Sequence, residues 1–215
     1  MLTRRLQRRL RQLFARIYLY GIHHLDPWRI GNAQTPLLLY CSHGGWSDVA
    51  LALVLSHRLL RLRSYILLGP HQSAHFRWAR SIGCITLPWE HPTALQSALT
   101  SLLPRLLRRT DSVLWVFATS DFLSVGDTDP FWSCTDIVRL SDRPIALAPA
   151  VWSYQLLQQQ PACYLWIGTP EVYGPDIPPS ELVQRCSHAL ATLYLHQQRL
   201  LYSGTLHPGY RLYWL

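Results

Sequence analysis

A chain of 215 residues with 49% hydrophobic content is long enough for one domain with a substantial core and too short for two comfortable ones. Its net charge of +8 is concentrated at one end: Arg4, Arg5, Arg8, Arg9, Arg11 and Arg16 stand in a stretch without acids, and the rest carries 14 basic against 12 acidic residues, which argues against a nucleic-acid-binding body. Cys41, Cys84, Cys134, Cys163 and Cys186 are an odd set with no C-x-x-C pair, which argues against a disulfide framework and a zinc ribbon and points to a reducing, intracellular compartment; no apolar run reaches the ~18 to 20 residues that cross a bilayer.

In the opening segment, Leu2, Leu6, Leu10, Leu13, Ile17 and Tyr20 recur at spacings of three and four with arginines opposite, the pattern of an amphipathic basic helix. Residues 1–24 are therefore expected as a helix lying on a membrane surface, its arginines toward anionic headgroups. The alternative is a helix whose apolar side packs on the domain that follows, residues 25–215. From there, apolar runs alternate with segments of helical length. Strands are predicted at TPLLLYCS, SYILLG, CITLP, SVLWVFA, RPIALAPAVW and ACYLWIGTPEVY. Helices are predicted at DVALALVLSHRLLRL, HQSAHFRWARSIG, PTALQSALTSLLPRLLRR and PPSELVQRCSHALATLYLHQQRLLY, leaving 119–136 as one long irregular stretch. The alternation predicts a single α/β domain with a largely parallel central sheet flanked by helices, in which ligands lie beyond the carboxyl ends of the strands.

At one such end stands SHGGWSD, residues 42–48. Five positions along a helix turn through about 140°, so His43 and Asp48 share a site only if the histidine precedes the helix. Gly44 and Gly45 permit the tight turn, and Asp48 in the first helical turn suits the positive end of the helix dipole and points back at the imidazole. The result is a general base oriented by a carboxylate, with no enzymic nucleophile. The alternative is an N-terminal helix turn that happens to contain a histidine. A serine hydrolase would need G-x-S-x-G, and GWSDV lacks the second glycine. His71 and His75 lie four apart but have no third ligand near them, so no metal is expected.

Taken in order, four blocks spread over roughly residues 30–175 resemble the glycerolipid acyltransferase family that includes the 1-acylglycerol-3-phosphate acyltransferases. SHGGWSD is similar to its first block, SIGCITLPWEHPTALQSAL to its second, VFATSDFLS to its third and RPIALAPAVW to its fourth. Two blocks depart from the family pattern. Trp89 stands where the family usually has an arginine, and Ala118, Thr119 and Ser120 replace Pro-Glu-Gly.

The resemblance implies a glycerol-3-phosphate acyltransferase-like fold, with His43 and Asp48 as the catalytic pair. It also implies an acceptor site at Gly44, Gly45, Trp89, Phe117, Thr119 and Ser120. Under it, His43 takes the proton of an acceptor hydroxyl, which attacks an acyl thioester directly. The acyl donor is acyl carrier protein or coenzyme A as its thioester, a substrate rather than a tightly bound cofactor. The expected partners are that donor and an anionic membrane surface, with no nucleic acid, and the expected location is cytoplasmic and peripheral to the membrane. A catalytically inactive lipid-binding relative and, more remotely, an Arg-rich nucleic-acid binder are the competing readings. The loss of a bidentate phosphate donor at Trp89 further predicts an acceptor recognised through its apolar body or sugar face.

Overall fold

The computed structural model describes residues 2–14, 16–41, 46–68, 84–87, 91–117, 132–157, 160–204 and 208–213. Helix α1 (Leu2–Leu13) is followed directly by strand β1 (Arg16–Tyr20), and two short turns of helix, the second α2 (Asp26–Arg29), lead to β2 (Leu37–Cys41). Next come α3 (Trp46–Leu55), which ends in a π-helical turn over Ser56–Leu60, then β3 (Arg63–Leu68), β4 (Cys84–Thr86) and α4 (Pro92–Leu106). The chain continues through β5 (Ser112–Phe117), α5 (Trp132–Arg139), β6 (Ile145–Leu157), β7 (Gln160–Ile167), β8 (Glu171–Tyr173), α6 (Pro179–Tyr202) and β9 (Arg211–Tyr213).

The described strands form one sheet in the order β4-β3-β5-β2-β6-β7-β1-β9, with β8 also paired to β6. Pairing is parallel from β4 across to β6 and again between β7 and β1; it is antiparallel at β6–β7, β6–β8 and β1–β9. This is a single α/β domain built on a mostly parallel mixed sheet. Every residue of β2 and β5 is buried, as a central parallel strand covered on both faces requires.

One face carries α1 and α3, the other α4, α5 and α6. The run from Val49 to Leu55 is buried on every side of α3, because the helix is enclosed between the sheet and α1. Its far end is pinned by a polar contact: the Ser56 hydroxyl donates to the Ala52 carbonyl at 2.7 Å and accepts the Trp115 indole N–H at 2.9 Å.

Several expectations are corrected. The helical stripe ends at Leu13, and Ile17 and Tyr20 belong to β1, which pairs with β7 from Arg16 opposite Ala162 to Tyr20 opposite Trp166. The sheet therefore runs through the segment before residue 24, and no boundary there separates a helix from a domain. RIYLY satisfies helical spacing only through Ile17 and Tyr20; aliphatic Ile17 and Leu19 alternating with Tyr18 and Tyr20 suit a strand once β7 supplies the ladder. Leu6 and Leu10 are buried, so this part of the apolar stripe covers the core, while Leu13 at its end is exposed and Arg8, Arg9 and Arg11 face outward. Within the expected irregular stretch, Trp132–Asp136 open α5, and 119–131 lie outside the described residues. The expected helix at 71–83 also lies outside them. β6 runs on past Trp152 to Leu157. ACYLWIGTPEVY breaks into β7 and β8 at Gly168, whose N–H donates to the Pro149 carbonyl at 2.9 Å and where a Cβ would stand 2.6 Å from the Pro149 ring. Among the described residues no helix is long and apolar enough to cross a membrane.

Candidate functional site

The chain leaves β2 at Cys41 and enters α3 at Trp46, so residues 42–45 join a strand to a helix, the order that the SHGGWSD spacing demands. Cys41 pairs in register with Phe117, the last residue of β5, on one side and with Ala150 of β6 on the other. Two adjacent parallel strands thus end side by side, where an α/β sheet presents its ligand site.

Asp48 lies in the first turn of α3 and is only 2% exposed. The helix dipole favours a carboxylate there, and the Tyr154 hydroxyl donates a hydrogen bond to Asp48 Oδ1. Ser47 Oγ donates in turn to the Tyr154 oxygen at 3.4 Å. The Tyr154 ring, 40% exposed, stacks on Phe14 just beyond α1, with centroids 5.5 Å apart and planes at 21°. Burial, and after it the negative charge of Asp48, pushes the thiols of Cys41 and Cys163 well up; the Trp152 side chain pulls Cys41 slightly the other way. Both thiols therefore stay protonated at neutral pH, and neither has the thiolate character of a nucleophile.

Of the residues singled out from sequence, the structure describes Asp48 and Phe117. Phe117 is 6% exposed and stacks against Trp115, with centroids 6.3 Å apart, so its ring is part of the core wall behind the strand ends. His43, Gly44, Gly45, Trp89, Thr119 and Ser120 lie outside the described residues, as do His71 and His75. Tyr154 was not among the expected site residues. The alternation of Ala148, Ala150 and Trp152 on one face of β6 carries Tyr154 to that same face, but only to a reader who extends the strand beyond Trp152. Nothing local pairs it with Asp48, 106 residues earlier.

A second buried polar group sits across the sheet. Gln197 of α6 is fully buried; its Oε1 accepts from Ser153 Oγ at 2.6 Å, and its Nε2 faces the Val151 and Tyr164 carbonyls and the Tyr210 hydroxyl at 3.5, 3.4 and 3.3 Å. Gln198 Nε2 donates to the same Ser153 oxygen at 2.9 Å. No group of three or more His, Cys, Asp or Glu among the described residues is placed to hold a metal ion. No protein-family model matches this chain, and no curated protein is significantly similar to it.

Proposed function

We propose that the protein is an O-acyltransferase that moves a fatty acyl group from an acyl thioester to the hydroxyl of a lysophospholipid or other lipid acceptor at a membrane surface. The observation that carries this reading is the buried carboxylate of Asp48 in the first turn of α3, directly after the carboxyl end of β2. A carboxylate so placed serves a base that precedes the helix in the chain, and His43 is the base that the sequence supplies there.

In the proposed reaction His43 accepts the proton of the acceptor hydroxyl while the oxygen's electron pair forms a C–O bond to the acyl carbonyl carbon. The C–S bond then breaks, and the sulfur leaves with the proton that the imidazolium carried, so the products are an ester and a free thiol. Asp48 stabilises the imidazolium between those steps. Coenzyme A or acyl carrier protein supplies the thiol. The acceptor is held through its apolar body or sugar face, consistent with Trp89 in place of a phosphate-binding arginine.

Attraction to the membrane is electrostatic in this reading. Leu6 and Leu10 are committed to the core, whereas Arg8, Arg9 and Arg11 are exposed, and each basic residue near an anionic surface contributes about 1 kcal/mol. The protein then acts on the cytoplasmic side as a peripheral component.

The test is incubation of the purified protein with labelled acyl-coenzyme A or acyl carrier protein thioester and a crude lipid extract, with mass analysis of the products. A new acyl ester is expected with the wild type and none with His43→Ala. Near-normal turnover by His43→Ala, or no ester with the wild type, overturns the reading. For the acceptor, lysophosphatidate is set against its uncharged monoacylglycerol counterpart over a range of salt; a strong, salt-sensitive preference for lysophosphatidate overturns recognition through the apolar body.

A further inference from the structure

We infer that Tyr154 is a positioning residue for the proposed acyl transfer, acting through Asp48. The inference rests on the acyltransferase reading and extends it to a residue on the far side of the sequence. An ionised carboxylate only accepts hydrogen bonds, so the contact between Tyr154 and Asp48 Oδ1 fixes the hydroxyl as donor, and Ser47 Oγ, 3.4 Å from the same oxygen, is left to donate to it. The order Ser47 to Tyr154 to Asp48 sets the rotation of the carboxylate. Stacking on Phe14 sets the plane of the tyrosine ring in turn.

Three observations separate this role from simple bracing of the helix. α3 is already held by its buried run from Val49 to Leu55 and by the Ser56 to Trp115 contact at its other end. A carboxylate that is 2% exposed has lost most of its hydration, which a purely structural position avoids by carrying an apolar residue. Finally, Tyr154 is itself 40% exposed, so its hydroxyl reaches from the surface down to the carboxylate, with the buried thiols of Cys41 and Cys163 behind it. Those thiols are protonated at neutral pH, and the Tyr154 hydroxyl is a directional contact to Asp48 from the surface side.

Because Asp48 acts on charge that develops as the proton moves, loss of its alignment appears in kcat and not in substrate affinity. Tyr154→Phe keeps the ring and its stack and removes the hydroxyl alone. A hydrogen bond to a charged group supports a loss of about tenfold to a hundredfold in kcat, with the KM for thioester and acceptor unchanged. The decisive measurement is a double-mutant cycle of Tyr154→Phe and Asp48→Asn, read under single-turnover conditions with enzyme in excess so that the slow Asp48→Asn background is measurable. Acting through Asp48, Tyr154→Phe costs at most about twofold in that background. An equal loss in both backgrounds, or a wild-type rate in Tyr154→Phe alone, overturns the inference and leaves acyl transfer standing. Absence of turnover in the wild type overturns the acyltransferase reading itself and removes the reaction for which Tyr154 is assigned.

Discussion

β6 separates two buried polar groups that differ in almost every respect. Gln197, behind the sheet, is neutral, comes from the middle of a helix turn facing the core, and meets a hydroxyl, two carbonyls and a tyrosine oxygen at hydrogen-bond distance. Asp48, in front, carries charge, sits at a helix start beside the end of β2, and is met by a tyrosine that reaches in from the surface. A fully enclosed amide with complementary partners stabilises one arrangement of α6 on the sheet and has no proton to move. A buried carboxylate raises the free energy of the fold unless something offsets its lost hydration. Under the proposed acyl transfer, the contrast is between a polar group that serves packing and one that serves chemistry.

The largest test of that contrast removes part of the front face and a strand of the sheet. Deleting residues 1–20 takes away Leu6, Leu10 and β1, the strand that bridges β7 and β9, so the truncated chain is expected to lose its cooperative thermal transition by circular dichroism. Were residues 1–24 only a membrane-surface helix, such a truncation would spare turnover; the buried stripe and the paired strand predict that it does not. Next in size, His43→Ala lowers acyl transfer by about a thousandfold or more with an unchanged melting temperature, and Asp48→Asn lowers it by about a hundredfold or more while leaving residual turnover, since an amide still orients the ring without stabilising its charge.

Gln197→Leu reverses the pattern. It removes the acceptor of the Ser153 O–H and one donor to the Tyr164 carbonyl, while Gln198 Nε2 still reaches the Ser153 oxygen, so it costs about 1–3 kcal/mol in denaturant unfolding, with kcat and KM of the folded fraction unchanged. Loss of turnover without loss of stability in Gln197→Leu would erase the distinction between the two faces.

The smallest effect is at alkaline pH. Burial raises the thiols of Cys41, Cys84 and Cys163 above 9.0, with Cys84 pushed up to about 12. As pH rises past 9.0 the unfolded chain releases these protons while the native protein keeps them, so stability falls until the native thiols themselves ionise. Below 9.0 both states hold the protons and this contribution is fully present. Urea midpoints from pH 7 to about 10 under reducing conditions measure the decline.

The amino-acid sequence by itself determined the parts of this protein that depend on neighbours within a few turns of chain. α6 shows its 3.6-residue period and its proline start, β2 and β5 their unbroken apolar runs, and SHGGWSD the break between strand and helix that places Asp48 in a first helical turn. Tertiary structure decided what depends on partners far along the chain. Ile17 and Tyr20 fit a helical stripe as well as a strand, and it is the ladder to β7, supplied by residues 162–166, that selects the strand. The same packing turns Leu6 and Leu10 of α1 inward onto α3 and leaves Arg8, Arg9, Arg11, Gln12 and Leu13 outside. Tyr154 meets Asp48 because β6 passes beside β2 and continues beyond it, a juxtaposition set by sheet order. Periodicity and propensity act through bonds and contacts within one element, whereas strand pairing and burial are decided by which distant surfaces exclude water together, and that choice leaves no mark at any single position in the chain.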